Sequence, residues 1–125
     1  MAKKILVIDD DKDLVTYFVS LLEDNGYSTA SAHDGVEGLH KVLSEKPDLI
    51  MLDITMPEKS GVRFYRDVRE NAQTKDIPVV MVTGVMEEFQ QFISSRRQVP
   101  PPDAYFSKPV DKNELLKKLE ALLKD

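Results

Sequence analysis

The chain has 125 residues and a formal net charge of −5, a length that suits one domain burying roughly two-thirds of the surface that its unfolded chain exposes. It contains no cysteine, which excludes disulfides, thiolate metal sites and cysteine nucleophiles and is typical of a reducing compartment. No apolar run approaches the ~20 residues of a membrane span, and the run after the basic N-terminus stops at Asp9, too short for a secretory signal. We therefore expect a cytoplasmic protein that does not span a membrane and, because it is acidic, does not bind nucleic acid directly.

Short apolar segments alternate with helical patterns along the chain. The apolar runs predict strands over 4–9, 27–32, 48–53, 78–83 and 104–107. Apolar residues at helical spacing predict helices over 12–25, 35–45, 61–71, 86–98 and 112–124. Asp11 and Asp111 are the expected N-caps of the first and last helices, and Gly26 is the expected stop of the first. The second helix is expected to carry one apolar face, formed by Val36, Leu39, Val42 and Leu43.

Five successive strand–helix units make up this pattern. Strands that are apolar throughout, as over 5–8, 49–52 and 79–82, indicate a sheet that is covered on both faces. Right-handed crossovers between parallel strands then give a doubly wound α/β sandwich. In such a sheet a functional site forms outside the carboxyl ends of the strands, where the strand order reverses.

Reactive polar residues stand at these carboxyl ends. Asp9 and Asp10 end the first strand, and Asp53 ends the third. Thr83 ends the fourth strand, and Lys108 follows the fifth. If the first and third strands are neighbours, the three carboxylates converge and repel one another. A hard divalent cation with oxygen ligands, such as Mg²⁺, would relieve that repulsion.

The same side chains suit phosphoryl transfer. A carboxylate such as Asp53 can act as the nucleophile and become an acyl phosphate. Lys108 would supply positive charge and Thr83 a hydroxyl donor to the oxygens of the moving phosphoryl group, while the backbone carbonyl of Thr55 completes the metal shell. Taken singly, each residue has a plainer role, such as an acid near a helix start or a β-branched strand residue. Their occurrence together favours a site.

Five motifs occur in order along the chain, each at an expected strand end. They are Ile5-Leu6-Val7-Ile8-Asp9-Asp10-Asp11, Pro47-Asp48-Leu49-Ile50-Met51-Leu52-Asp53-Ile54-Thr55-Met56-Pro57, Ser60-Gly61, Pro78-Val79-Val80-Met81-Val82-Thr83-Gly84 and Tyr105-Phe106-Ser107-Lys108-Pro109. Together they make the chain resemble the receiver domain of two-component response regulators, of the single-domain chemotaxis type. The resemblance implies a flavodoxin-like (βα)5 fold over residues 1–125, with a five-stranded parallel sheet in the order 2-1-3-4-5.

The resemblance also implies a role for each residue of the site. Asp53 would accept a phosphoryl group. Asp9 and Asp10, with Asp53 and the backbone carbonyl of Thr55, would hold Mg²⁺. Lys108 would pair with Asp53 or with its phosphoryl oxygens, and the Lys108-Pro109 peptide resembles the cis peptide of the family.

Phosphorylation is expected to act as a switch between two conformations. Thr83 would move to hydrogen-bond the phosphoryl group, and Tyr105 would turn inward. The donor implied is the phosphohistidine of a sensor histidine kinase or of a histidine phosphotransfer protein. A downstream protein would bind residues 86–98 and 104–124 of a monomer or weak dimer. The only catalysis expected is Mg²⁺-dependent self-phosphotransfer and self-dephosphorylation, so the chain would not be a metabolic enzyme.

The chain departs from the family pattern after its fourth strand. Gly84 stands where a small alanine is commoner, and Pro101-Pro102 replace a Gly-Ala step before the last strand. Val85 and Thr55 occupy the positions at which the family tunes dephosphorylation. Neither side chain offers a carboxylate or an amide to orient an attacking water, which predicts slow self-dephosphorylation.

Two other functions are compatible with the sequence. The first is a pseudo-receiver, an interaction module that works without phosphate. The second is a small phosphohydrolase of the haloacid dehalogenase type, because Asp9-Asp10-Asp11 after an apolar strand resembles the Asp-x-Asp opening of that family. The later acid pair and a cap domain of that family are missing. The sequence leaves open whether the chain is a fragment of a longer regulator.

Overall fold

The computed structural model describes residues 2–53, 60–84 and 102–124, with the backbone alone for residues 60–62 and Thr83. The strands in these ranges are β1 (Lys4–Ile8), β2 (Ser28–Ala32), β3 (Leu49–Asp53), β4 (Val79–Thr83) and β5 (Ala104–Ser107). The helices there are α1 (Lys12–Asp24), α2 (Gly35–Glu45), α3 (Ser60–Glu70) and α4 (Lys112–Leu122). These elements match the predicted ones closely, and the helix expected over 86–98 lies outside the described residues.

The five strands form one parallel sheet in the order β2-β1-β3-β4-β5, which confirms the predicted fold class. The strand order reverses beside β1, because β1 pairs with β2 on one side and with β3 on the other. The register pairs Ile8 with Leu52. The residues that follow this pair, Asp9 and Asp53, are therefore neighbours at the carboxyl edge of the sheet.

Each face of the sheet has its own hydrophobic core, because successive residues of a strand point to opposite faces. On one face Leu6 and Ile8 pack with residues of α2 and α3. On the other face Ile5 and Val7 pack with residues of α1 and α4. The sheet is thus covered on both sides, as its continuous apolar strands predict. Within the described ranges, the helices do not combine the length and the apolar character that a membrane span requires.

Helix caps hold the starts of α1 and α4 near the carboxyl edge of the sheet. The Asp11 side chain accepts hydrogen bonds from the backbone N–H groups at the start of α1, and Asp111 does the same for α4. Gly26 has a φ of 90° just after α1, in the left-handed region that favours glycine. The predictions for these three residues are confirmed.

The predicted apolar face of α2 is wrong in two of its four residues. Val42 is buried, whereas Val36 is 73 % exposed and Leu43 is 47 % exposed. The helix instead turns Gly38 toward the sheet, where a Cβ atom would lie 2.9 Å from Ile8 Cδ1 and 3.0 Å from Phe64 Cε1. The missing side chain lets α2 approach β1 and α3 closely, and this contact decides which face of the helix is buried.

Candidate functional site

Three carboxylates converge at the carboxyl edge of the sheet. Asp9 follows β1 and Asp53 ends β3, and each is only 3 % exposed. Asp10 is exposed beside them. Each of the three offers a carboxylate oxygen within 4.8 Å of those of the other two. Because both buried acids lie where the strand order reverses, the fold places them where such sheets form functional sites.

Lys108 follows the edge strand β5, and its side chain reaches this cluster. Its Nζ lies 3.3 Å from Asp53 Oδ2 and 3.5 Å from Asp9 Oδ2. Its side chain is 24 % exposed, so Lys108 is partly buried between the strand ends. The peptide between Lys108 and Pro109 is cis, as the resemblance implies.

The backbone holds Asp9 in a fixed orientation. Its Oδ1 accepts a hydrogen bond from the Asp11 N–H at 2.9 Å, and its own N–H donates to the Ala32 carbonyl at 3.2 Å. Asp11 in turn caps α1. Asp9 is therefore tied to β2 and to the start of α1, and its second oxygen faces Lys108.

The site has an excess of negative charge. Burial is the main cause that raises the pKa of Asp9 from 3.8 to about 6, and the nearby Asp53 raises it further, against the opposing effects of the Asp11 N–H and of Lys108. Burial lowers the pKa of Lys108, but the carboxylates of Asp53 and Asp9 outweigh this effect and raise it above 10.5. Among the described residues, the single positive charge of Lys108 therefore does not balance the carboxylates of Asp9, Asp10 and Asp53.

This donor set fits a hard divalent cation. The ligand atoms that Asp9, Asp10 and Asp53 offer are carboxylate oxygens, which Mg²⁺ and Ca²⁺ prefer. The raised pKa of Asp9 shows that the buried site disfavours its own charge, and a bound cation would relieve this.

The other predicted site residues are described only in part. The backbone of Thr83 ends β4 opposite Ser107, and its side chain lies outside the description. Thr55 and Val85 lie outside the described residues. Gly84 borders the site, because Lys108 Cδ would be 3.9 Å from a Cβ placed there. Tyr105 is 53 % exposed on β5, and the roles of all these residues stay predictions.

One ion pair between a buried arginine and an exposed aspartate was not predicted. Arg69 at the end of α3 pairs with Asp103 just before β5, with 3.0 Å between Arg69 Nη2 and Asp103 Oδ2. A signal for it was present in the sequence, because Asp103 is an acid placed between a proline run and an apolar strand. Nothing in the helical pattern of α3 pointed to Arg69 as its partner.

Comparisons with known proteins agree on one family. A family model described as the response regulator receiver domain matches residues 5–120. The alkaline phosphatase synthesis transcriptional regulatory protein PhoP of Bacillus subtilis (strain 168) is 36 % identical over 124 residues. Those residues are 99 % of this chain but only 50 % of PhoP, so the chain spans about half the length of that relative.

Two further relatives match over nearly their whole length. Protein PilH of Pseudomonas aeruginosa is 32 % identical over 120 residues, which cover 96 % of this chain and 97 % of PilH. The structure of the chemotaxis response regulator CheY4 of Vibrio cholerae is 30 % identical, with a TM-score of 0.84, and the match covers 98 % of this chain and 100 % of CheY4. The chain therefore belongs to the family of response regulator receiver domains.

Proposed function

We propose that the chain is a phosphorylation-controlled switch in which Asp53 accepts a phosphoryl group from the phosphohistidine of a sensor kinase or of a phosphotransfer protein. Receiver domains are signalling modules of two-component systems and not metabolic enzymes. One observation carries the proposal for this chain. Asp53 is buried at the end of β3 with the Lys108 ammonium 3.3 Å away and two further acids beside it.

The transfer is a displacement at phosphorus. An oxygen of Asp53 forms the new O–P bond while the P–N bond to the donor imidazole breaks. The imidazole nitrogen keeps the electron pair of that bond and takes a proton from solvent. Lys108 stays within reach of the phosphoryl oxygens and offsets part of their charge.

Mg²⁺ is the cofactor that we propose for this site. Asp9, Asp10, Asp53 and the backbone carbonyl of Thr55 would hold it. When bound, the ion neutralises charge on the phosphoryl oxygens. Asp9 is fixed by the Asp11 N–H and by β2, so the ion would find this ligand already oriented.

The switch follows from the charge that phosphorylation adds. A phosphoryl group brings about two negative charges and three acceptor oxygens at neutral pH. We propose that the Thr83 hydroxyl and Lys108 gain partners only in the phosphorylated state, which shifts the equilibrium toward it, and that Tyr105 turns inward. The half-exposed position of Tyr105 is compatible with the unphosphorylated conformation.

Residues 86–98 and 104–124 form the proposed surface for the downstream protein. In the described part of this surface, β5 and α4 border a cavity of about 330 Å³ that is lined by Tyr105, Phe106 and Lys118 among others. A movement of Tyr105 would change the shape of this cavity. We further propose that the protein is a cytoplasmic monomer or weak dimer. We also propose that it loses its phosphoryl group slowly, because the side chains of Val85 and Thr55 cannot orient an attacking water molecule.

Intact mass after incubation with Mg²⁺ and acetyl phosphate tests the proposal. We expect one added phosphoryl group on the wild type, none without Mg²⁺ and none on Asp53→Asn. Asp48→Asn is the matched control, because Asp48 lies at the other end of the same strand and is expected to leave phosphorylation intact. An unmodified wild type that also ignores beryllofluoride would indicate a phosphate-independent interaction module instead. Turnover of a generic phosphoester would indicate a phosphohydrolase.

A further inference from the structure

A buried arginine connects α3 with the start of β5. The Arg69 side chain is only 6 % exposed. Its Nη1 donates to the backbone carbonyls of Lys75 at 2.9 Å and Ile77 at 2.6 Å, and its Nε donates to the Tyr65 hydroxyl at 3.2 Å. Its Nη2 lies 3.0 Å from Asp103 Oδ2. The guanidinium group is thus fixed by α3 and by the loop before β4, and it presents one N–H to Asp103.

Asp103 clamps the chain to the first residue of β4. Its Oδ2 accepts a hydrogen bond from the Val79 N–H at 2.9 Å. Its own N–H donates to the Val79 carbonyl at 3.0 Å. These two bonds lie one residue before the pairing of Ala104 with Val80, where β5 begins. Asp103 therefore fixes the point at which β5 joins the sheet.

Besides the clamp, the ladder with β4 and the packing of two side chains set the register of β5. β5 is a four-residue strand at the edge of the sheet, with Ala104 and Phe106 half-buried and Tyr105 and Ser107 exposed. A buried face specifies register, and in β5 only the half-buried side chains of Ala104 and Phe106 supply that face, so the bonds of Asp103 add to a modest signal. A slip by one residue would shift the strand by about 3.3 Å and turn its side chains to the opposite face.

Lys108 directly follows this strand. Its contact with Asp53 depends on where β5 ends, because a displacement of about 3.3 Å is as large as the distance between ammonium and carboxylate. We propose that Arg69 and Asp103 are positioning residues, which set the register of β5 and so bring Lys108 to Asp53. This inference rests on the proposed function only in taking Lys108 to assist phosphorylation.

The cation site offers a way to separate positioning from general stability. Asp9 and Asp10 follow β1 and Asp53 ends β3, and neither strand pairs with β5. Lys108 competes with a cation for the oxygens of Asp53 and Asp9, so a clamp that acts through Lys108 should, when broken, slow phosphorylation without weakening Mg²⁺ binding. A pair that only stabilises the fold should affect both.

The test measures phosphorylation by acetyl phosphate at saturating Mg²⁺ together with Mg²⁺ affinity by calorimetry. We expect Asp103→Ala to slow phosphorylation by up to about a hundredfold, the cost of a misplaced group, with Mg²⁺ affinity unchanged or higher, because a displaced Lys108 no longer competes for Asp53 and Asp9. Adding Asp103→Ala to Lys108→Ala should cause no further loss, because both changes remove the same interaction. Glu45→Ala is the control, since it breaks an ion pair between Lys4 and α2 that does not involve β5.

The proposal would be overturned if the losses of phosphorylation rate in Asp103→Ala and Lys108→Ala multiplied in the double variant. A loss of Mg²⁺ affinity in Asp103→Ala would also overturn it. Asp103→Asn keeps an acceptor for the Val79 N–H and serves if Asp103→Ala does not fold; an intermediate loss of rate is then expected. The NMR signals of the Lys108 side chain give a readout that needs no phosphorylation. They should move in the Asp103 variants toward their positions in Asp53→Asn, and unmoved signals would contradict the inference even if the wild type accepts no phosphoryl group.

Discussion

Lys108 Nζ lies 3.3 Å from Asp53 Oδ2, although the two residues are 55 positions apart in the chain and stand at the ends of β5 and β3, which are not neighbours. β4 lies between β3 and β5, so the lysine side chain must pass the end of β4 to reach the carboxylate. Gly84 stands there, and a Cβ at that position would be 3.9 Å from Lys108 Cδ. The contact thus depends on three strand ends at once, and it links the last strand of the sheet to the carboxylate cluster at its centre.

Removing the charge of Lys108 should raise the pKa of Asp9 above its value of about 6, because Lys108 is one of the groups that lower it. Lys108→Met keeps most of the side-chain length and removes only the ammonium. The titration of the Asp9 carboxyl carbon, followed by NMR in Mg²⁺-free buffer, measures the change. Lys118→Met on α4 is the control, and an unchanged Asp9 titration in Lys108→Met would contradict the electrostatic account. Lys108→Met should also be phosphorylated by acetyl phosphate more slowly than the wild type.

Neutralising Asp9 should stabilise the Mg²⁺-free protein at neutral pH. The pKa of Asp9 is about 6 in the folded protein, against 3.8 for an aspartate in an unfolded chain, so the folded protein binds the carboxyl proton more tightly. The stability that this provides is present below about pH 4 and is lost as the pH rises through about 6. We expect Asp9→Asn to raise the free energy of unfolding at pH 7 by up to about 3 kcal/mol.

Urea unfolding at a series of pH values, with a chelator present, measures this gain. The difference between Asp9→Asn and the wild type should shrink as the pH falls from 6 toward 4. Asp10→Asn is the matched control, because Asp10 belongs to the same cluster but is exposed, so its neutralisation relieves little desolvation. A difference that stays constant with pH would show that Asp9 does not act through its charge.

The decay of the phosphorylated protein tests the prediction made from Val85. A valine there has no group that could orient a water molecule for attack on phosphorus, so we expect a phosphoryl lifetime well beyond seconds. Val85→Glu should shorten it, since a carboxylate can position water. Loss of the phosphoryl group, followed by intact mass after removal of the donor, measures both rates. Val85→Leu is the control, and equal decay of the Glu and Leu variants would refute the prediction.

Much of the fold could be predicted from the sequence because its signals are local. Continuous apolar runs marked β1, β3 and β4, and single acids and a glycine marked the ends of α1 and the start of α4. The convergence of Asp9 with Asp53 followed from one further assumption, that β1 and β3 are neighbours, which the sheet order confirms.

Two features could not be predicted because they depend on tertiary contacts. The pair of Arg69 and Asp103 joins residues 34 positions apart, and no periodic pattern relates a polar residue of one helix to a loop acid that far away. The buried face of α2 depends on Gly38, whose contribution is the absence of a side chain. A pattern that counts apolar residues therefore assigned Val36 to the core, although it is largely exposed.

The glycine contact of α2 leads to a prediction about stability. A methyl group at Gly38 would lie 2.9 Å from Ile8 Cδ1 and 3.0 Å from Phe64 Cε1, so these buried side chains would have to shift to admit it. Overpacking of this kind costs about 1–3 kcal/mol, and the better helix propensity of alanine offsets up to about 1 kcal/mol of it. We expect Gly38→Ala to lower the free energy of unfolding by about 1 kcal/mol, as measured by urea unfolding. Gly84→Ala is the matched control, because its new methyl group would meet Lys108 Cδ only at 3.9 Å, an ordinary contact. An equal change in the two variants would show that α2 does not depend on close approach at Gly38.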